Sequence, residues 1–353
     1  MNAVQCGVAL SGYTTLGLGG PASRFVVAGT GDELVARVRA ADERGEPLLV
    51  LGGGSNLVIS DDGFDGTVVR VATRGVSMAA DQQTVTVAAG EDWDALVHRC
   101  VTAGLAGLEC LSGIPGLTGA TPIQNVGAYG QEVAGVITAV RTYDRVRREV
   151  AGLTGPHCGF GYRTSMFKRD PGRYVVLSVT FALARERLSR RVGYAELAGR
   201  LGVAVGDRVP LSDVRSAVLE LRRGKGMVLD AGDPDTRSAG SFFTNPIITA
   251  EQLAGVERVA RELFGDGTTV PRYPADDGLV KVPAAWLIER AGFGKGYRSG
   301  DAKISSKHTL ALVNPGGGTA KGLLGLAAEI RDGVLAAFGV ELAPEPVLVG
   351  VTL

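Results

Sequence analysis

No stretch of this chain reaches the roughly eighteen consecutive apolar residues that a membrane-spanning helix needs. Met1 to Leu10 also lacks the basic opening and apolar run of a secretory leader, so a cytoplasmic location with reduced thiols is expected. Cysteine is scarce: Cys6, Cys100, Cys110 and Cys158 form no CxxC pair, and His98, His157 and His308 are not spaced as ligands. No metal site is expected. An excess of one charge is missing as well, with 37 basic against 37 acidic side chains. No net field draws nucleic acid or an anionic membrane, and an anionic ligand would have to be held by local groups. Internal repeats and low-complexity linkers are absent too.

Glycine, by contrast, is abundant. The 52 glycines make up about 15% of the chain against an ordinary usage near 7%, without collagen periodicity. They lie between apolar segments and read as backbone devices. With 353 residues, 45% of them hydrophobic, the chain can build two or three cores of roughly 100–150 residues each.

Thr30-Gly31-Asp32-Glu33 is a capping-box pattern that opens a helix to about Arg44, and Pro47 to Leu51 follows as a buried strand. Further strands are expected at Leu57 to Ile59, Thr67 to Val71 and Thr84 to Ala88. Trp93, Leu96, Val97, Cys100 and Val101 share one helical face between Asp92 and Ala103, and a Gly-rich loop runs from Gly104 to Gly130. Strands at Val136 to Tyr143, Val175 to Leu183 and Arg190 to Val192 precede a helix from Ser212 to Arg223 with Ser212 as its N-cap. Beyond Lys225, Thr249-Ala250-Glu251-Gln252 caps a helix ending at Gly265, and Pro283 opens one that stops at Gly292. Ala320 to Phe338 is a long helix closed by Gly339, and Pro346 to Leu353 a final strand. Asp230 to Ser238, polar and containing Pro234, reads as a mobile boundary.

Two glycine motifs are set aside. Gly17-Leu18-Gly19-Gly20-Pro21-Ala22 fits the dinucleotide fingerprint, yet the strand pattern Arg24-Phe25-Val26-Val27 stands where that fingerprint needs a helix. Gly316-Gly317-Gly318-Thr319-Ala320-Lys321 lacks the P-loop ending and starts a helix. Gly52-Gly53-Gly54-Ser55-Asn56, between two strands, can present successive N–H groups to a pyrophosphate; a plain Gly-rich turn fits the same residues. The segment Ser112 to Gly130 can press its backbone on a flat ligand while Gln124 and Asn125 read a heterocycle edge, or it can simply pack between layers.

The most informative residues are Tyr162-Arg163-Thr164-Ser165-Met166-Phe167-Lys168 and Gly240-Ser241-Phe242-Phe243-Thr244-Asn245-Pro246. Arg163 brings a permanent planar cation able to stabilise an enolate oxygen, and Ser241 a hydroxyl able to return a proton. Glu345, between Pro344 and Pro346, is a carboxylate on a stiff backbone. Lys168, Tyr194, Lys225 and Asn245 together could bind a diphosphate. Each of these taken singly fits an ordinary surface or turn residue, but together they point to an enzyme.

In order, Thr15-Leu16-Gly17, the GGGSN loop, Ile114 to Gly130, Tyr162-Arg163-Thr164-Ser165, Gly240 to Pro246 and Glu345 resemble the UDP-N-acetylenolpyruvoylglucosamine reductase (MurB) family of flavoenzymes. The likeness spans nearly the whole chain, and Tyr194 in Gly193-Tyr194-Ala195-Glu196-Leu197 points to the loop-bearing type I subclass. The resemblance implies an α+β / α/β protein of three domains. Residues 1–75 and 76–226 would form a vanillyl-alcohol-oxidase-type (PCMH-like) FAD-binding unit, and residues 227–353 an α+β substrate-binding domain whose last strand returns to the active site.

It implies NADPH-driven, FAD-dependent reduction of UDP-N-acetylglucosamine enolpyruvate to UDP-N-acetylmuramate in peptidoglycan biosynthesis, with FAD held non-covalently. Arg163 and Glu345 would stabilise the intermediate and Ser241 would donate the proton. The flavin would contact Gly52, Gly53, Gly54, Ser55, Asn56, Leu57, Ile114, Pro115, Gly116, Gly119, Ala120, Gln124, Asn125, Gly127, Ala128 and Arg222. The substrate would meet Tyr129, Tyr162, Lys168, Tyr194, Lys225 and Asn245. Pro346-Val347-Leu348 offers no arginine where some members set one against the flavin. A monomer is expected. The alternatives are a related flavin oxidase, a homologue serving a specialised pathway, or a binding module without catalysis.

Overall fold

The computed structural model describes residues 3–353, which divide into two compact units. The first unit takes the residues up to Val8, then Ala22–Gly54 and Phe64–Val228; the second takes Ala9–Pro21, Ser55–Gly63 and Leu229–Leu353.

In the first unit the helix Gly31–Glu43 buries Leu34, Val38 and Ala41, the spacing of one helical face. Thr30 caps it by accepting from Glu33 N–H, while the Glu33 carboxylate accepts from Gly29 N–H, one residue before the reciprocal bond of a standard capping box. Strands Pro21–Ala28 and Leu48–Leu51 both pair in parallel with Phe64–Val71, which lies between them. A second, antiparallel sheet has the order Glu149–Thr154, Ile137–Asp144, Tyr174–Ala182, Thr84–Ala88 and Val76–Met78. Trp93 and Phe181, with ring centroids 6.0 Å apart, lie in the apolar cluster of this unit. A smaller cluster of Cys110, Val192, Leu197, Val214 and Val218 packs the helices Ala195–Leu201 and Leu211–Gly224.

Two expectations fail in this unit. Residues 190–192 form no strand, because Val192 faces the small cluster and the Arg190 and Val192 N–H groups bond to a carboxylate and to a loop carbonyl. Pro210, not Ser212, stands at the N-cap of Leu211–Gly224; Ser212 lies in the first turn and donates to Asp213.

In the second unit a four-stranded sheet runs Ser238–Ser241, Ala311–Val313, Ala302–Ile304 and Arg298–Ser299. Helices Ala250–Phe264, Ala284–Arg290 and Ala320–Phe338 share its apolar core. The longest buries Leu323, Leu326, Ala327, Ile330 and Val334, each large aliphatic side chain contributing about 1.5–3 kcal/mol. The capping box at Thr249 is complete. The final strand is shorter than expected, only Val347–Val349, and pairs in parallel with Leu57–Ile59.

Asp230 to Ser238 is held rather than mobile. Asp235, 3% exposed, accepts from Lys303 Nζ at 2.8 Å and Ser306 N–H at 3.0 Å, and Asp233 from Lys307 Nζ at 2.6 Å. Among the described residues no helix is long and apolar enough to cross a membrane.

Candidate active site

Tyr162 and Arg163 occupy a turn closed by reciprocal bonds, Gly161 N–H to Thr164 O at 3.0 Å and Thr164 N–H to Gly161 O at 3.2 Å. Arg163 has φ +52°, a left-handed conformation that costs a non-glycine residue about 1–3 kcal/mol and persists only where its surroundings impose it. Those surroundings are visible. Arg163 Nη2 donates to Gly127 O at 2.8 Å, Lys168 Nζ donates to Arg163 O at 3.2 Å, and the guanidinium carbon stands 5.5 Å from the Tyr162 ring centroid. Ser165, fully buried, donates to Ile123 O at 2.5 Å and caps the helix Met166–Arg169. Gly127 must be glycine, since a Cβ there would lie 2.7 Å from Glu132 Cγ and 3.2 Å from Arg163 Nη1.

Gly127 belongs to a small hairpin in which Gly127–Ala128 pairs with Gln131–Glu132. Its two turn residues, Tyr129 at φ +49° and Gly130 at φ +83°, are both left-handed, as a two-residue type I′ connection requires. Asn125, at φ +47° and 1% exposed, braces this hairpin. Its Nδ2 donates to Glu132 Oε2 at 2.7 Å and to Gly161 O at 3.0 Å, and its Oδ1 accepts from Ala134 N–H at 3.1 Å. The carboxamide is therefore turned onto the protein, which corrects the expectation that Asn125 reads a heterocycle edge. Gly119 is likewise small for an internal reason, a Cβ there falling 2.4 Å from that of Ala89. Gln124 and Ala128 are half-buried, whereas Ala120 is exposed.

The first unit also carries features that suit a flat heterocyclic ligand. A Cβ on Gly53 would stand 2.8 Å from Gly116 Cα, so the two backbones run against each other there, while one on Gly52 would meet the Leu117 side chain at 3.8 Å. Arg222 is 8% exposed; its Nη2 donates to Met227 O at 2.8 Å, while its Nε is buried without a partner among the described residues. Burial pulls the guanidinium down to about 10. An unmatched buried N–H is costly, and an acceptor atom on a bound ring system would remove that cost. The orphaned Arg222 donor fits an acceptor atom on a bound ring system such as that of FAD.

Of the candidate substrate residues of the same unit, Tyr129, Tyr194 and Lys225 meet one another, while Lys168 bonds to Arg163 O instead. Tyr129 and Tyr194 rings make an edge contact at 5.6 Å, Lys225 Nζ lies 5.8 Å from the Tyr129 ring centroid, and it pairs with Glu196 at 2.7 Å. Burial pushes the Tyr129 phenol up to about 12, so it stays a neutral donor.

In the second unit Ser238 pairs with Val313 and Ser241 with Ala311, leaving one extra residue on the serine strand. This bulge, with Gly240 at φ +75°, re-aims Ser241. The next residue, Phe242, donates its N–H to Leu310 O at 2.7 Å and accepts from Glu345 N–H at 2.8 Å. Ser241 and Glu345 thus sit at neighbouring backbone positions although far apart in sequence. Asn56 Nδ2 donates to Glu345 O at 3.4 Å and Asn56 O accepts from Val347 N–H at 2.9 Å, so the loop containing Ser55, Asn56 and Leu57 braces the glutamate. Asn245 Oδ1 accepts from Ala284 N–H at 2.9 Å and anchors the helix that begins there.

Comparison with known proteins decides the family. Residues 22–146 match the model of an FAD binding domain, and residues 233–349 match that of the UDP-N-acetylenolpyruvoylglucosamine reductase C-terminal domain. The chain is 58% identical over 350 residues to the UDP-N-acetylenolpyruvoylglucosamine reductase of Thermobifida fusca (strain YX), covering 98% of each chain. The chain belongs to the UDP-N-acetylenolpyruvoylglucosamine reductase family. The family protein of Salinispora arenicola (strain CNS-205) is 59% identical over 350 residues, covering 98% of this chain and 95% of that one. The crystal structure of the family enzyme from Thermus caldophilus superposes with a TM-score of 0.68 at 27% identity, covering 99% of this chain and 100% of that one. The α/β character of the FAD-binding part and the separate C-terminal family domain agree with the fold expected from the sequence.

Three acidic residues at this family's candidate site escape sequence reasoning: Glu132, which holds Asn125; Glu196, which holds Lys225; and the fully buried Glu109. Glu196 and Lys225 are 29 positions apart, so no local pattern pairs them.

Proposed function

We propose that this chain reduces UDP-N-acetylglucosamine enolpyruvate to UDP-N-acetylmuramate in peptidoglycan synthesis, with FAD bound non-covalently by residues 1–75 and 76–226 and NADPH as hydride donor. The type I subclass, a monomeric state, a cytoplasmic location and a substrate domain from residue 227 onward belong to the same reading. FAD, when bound, supplies a hydride taken from NADPH to the methylene carbon of the enol ether. The residues named above for the flavin would hold it, with Arg222 donating to a ring acceptor and Gly53 and Gly116 admitting the backbone; Asn125 serves by bracing the hairpin.

Arg163 stabilises the negative charge that builds on the enolpyruvyl carboxylate, its orientation set in advance by the bond to Gly127 O. Ser241 returns a proton to the carbon that bears the ether oxygen, completing the lactyl group. Glu345 fixes charge and orientation beside it. Tyr129, Tyr162, Lys168, Tyr194, Lys225 and Asn245 bind the nucleotide sugar. The observation that supports the reading best is the bulge before Ser241, which sets the serine strand beside the Glu345 backbone.

Anaerobic stopped-flow absorbance tests it. The FAD-loaded protein is reduced with NADPH and then mixed with the enolpyruvyl nucleotide sugar. Bleaching followed by substrate-dependent recovery is expected. Recovery only on admitting oxygen would replace the reductase reading with an oxidase, and absence of a flavin band after reconstitution would remove it.

A further inference from the structure

Glu109 is a fully buried carboxylate for which the reaction above has no use. It opens the short helical turn Glu109–Leu111 of the first unit. Its Oε2 accepts from Gly107 N–H at 2.6 Å; its Oε1 accepts from Gln131 Nε2 at 2.9 Å and from Arg190 N–H at 3.0 Å. Gln131 closes a ring, since its Oε1 accepts from Cys110 N–H at 2.9 Å. All three donors to the carboxylate are amide N–H groups, two of the backbone and one of a side chain. Such an arrangement is sensitive to the loss of any one of them.

What these donors belong to is the informative part. Gln131 starts the return strand of the hairpin whose turn is Tyr129–Gly130, and that turn forces a tyrosine to φ +49°. Arg190 leads the irregular segment to Tyr194, whose ring meets Tyr129 at 5.6 Å. One carboxylate oxygen therefore fixes the two backbone segments that carry the aromatic pair beside Lys225. A Cβ on Gly130 would come within 3.7 Å of Gly193, so the two segments run close where they are tied.

We propose that Glu109 is a positioning residue for substrate affinity: through Gln131 and the Arg190 N–H it sets the Tyr129–Tyr194 pair that receives the diphosphate of the nucleotide sugar. This rests on the reading of Tyr129, Tyr194 and Lys225 as substrate residues.

The chemistry of an amide makes the test selective. In Glu109→Gln the new NH2 must face either Gly107 N–H or the Gln131 and Arg190 donors, leaving a buried donor opposed. In the exchanged pair Glu109→Gln with Gln131→Glu, the amide at 109 donates to the carboxylate at 131, which still accepts from Cys110. The hairpin tie returns, and only the Arg190 N–H stays opposed. The FAD-loaded full chain is assayed for KM and kcat, for the rate of flavin reduction by NADPH, and by calorimetric titration with UDP as the diphosphate probe.

Glu109→Gln is expected to raise KM for the enolpyruvyl sugar and Kd for UDP about tenfold, the effect of roughly 1.4 kcal/mol of lost positioning. Flavin reduction should stay within about twofold, and the exchanged pair should recover part of the affinity. Unchanged KM and Kd, or equal slowing of flavin reduction, would overturn the proposal. If Glu109→Gln does not fold, Gln131→Met removes one tie at a half-buried position and carries the same expectation. Wild-type turnover of the sugar together with UDP binding that Lys225→Ala leaves undiminished would instead remove the underlying assignment of the diphosphate residues.

Discussion

Asn125, Tyr129 and Arg163 are three of the six non-glycine residues with positive φ among those described, and they are joined by one hydrogen-bonded hairpin and turn. Strain gathered in this way marks a site whose geometry is imposed by its surroundings. The residue types were legible: an arginine beside a tyrosine, and a serine after a glycine. The conformations were not: left-handed φ at Tyr129 comes with its two-residue hairpin turn, and that of Arg163 goes with a bond to Gly127 O, 36 positions away, that no local pattern encodes. Asn125 was misread for the same reason. Its side chain looks like a ligand donor until its partners, at positions 132, 134 and 161, are known.

Two outcomes follow at this scale. Ser241→Ala should leave NADPH-driven bleaching of the flavin intact and slow substrate-dependent recovery by about 10²–10⁴-fold, the range of a lost proton donor. Recovery at the wild-type rate would exclude Ser241 from proton transfer. Arg163→Lys should fare little better than Arg163→Ala in the same step, because a point charge cannot both hold Gly127 O and meet a carboxylate with a planar donor pair. Full activity of the lysine variant would mean that charge alone suffices.

Among elements, those with terminal signals were readable, and those shaped by distant partners were not. The helices after Thr30 and Thr249 begin where their caps predict, and Ala320–Phe338 ends at Gly339 in a left-handed conformation. Asp230 to Ser238 looked mobile because its polar residues find Lys303, Ser306 and Lys307 only after folding. The glycine loops were recognised as backbone devices, but which glycines face a ligand and which face the protein depends on close approaches seen only in space. Gly53→Ala separates these roles. Its Cβ would press on Gly116 Cα at 2.8 Å, so FAD affinity should fall at least about tenfold with little change in the circular dichroism of the folded chain. Retention of flavin at wild-type affinity would show that the loop can shift without cost.

For the molecule as a whole, acid stability follows from paired carboxylates in each unit. Asp144 is held below its usual range by the Arg173 guanidinium. Burial pushes Asp235 up, but hydrogen bonds from Lys303 and Ser306 outweigh it and leave it low. Groups with depressed folded values stabilise above their unfolded value, near 3.8 here, and that contribution is lost as pH falls through the folded value. Asp144→Asn should lower Tm at pH 7 by roughly 2–4 °C and make its decline below about pH 4 shallower. A parallel acid decline in both proteins would deny the pair a role in acid stability.

The second unit is assembled from Ala9–Pro21, Ser55–Gly63 and Leu229–Leu353, and one of its strand pairs joins Leu57–Ile59 to Val347–Val349. During synthesis that pairing must wait until Val347–Val349 have been made. The early segments carry Leu16, Leu18 and Val58, whose buried partners in the apolar core lie at residues 239–342, so they stay uncovered until that stretch is made. Closing so long a loop costs only a slowly growing entropy, but it postpones burial until the distant partners have been made. A nascent chain stalled before that later stretch would therefore keep Leu16, Leu18 and Val58 exposed to non-native contacts.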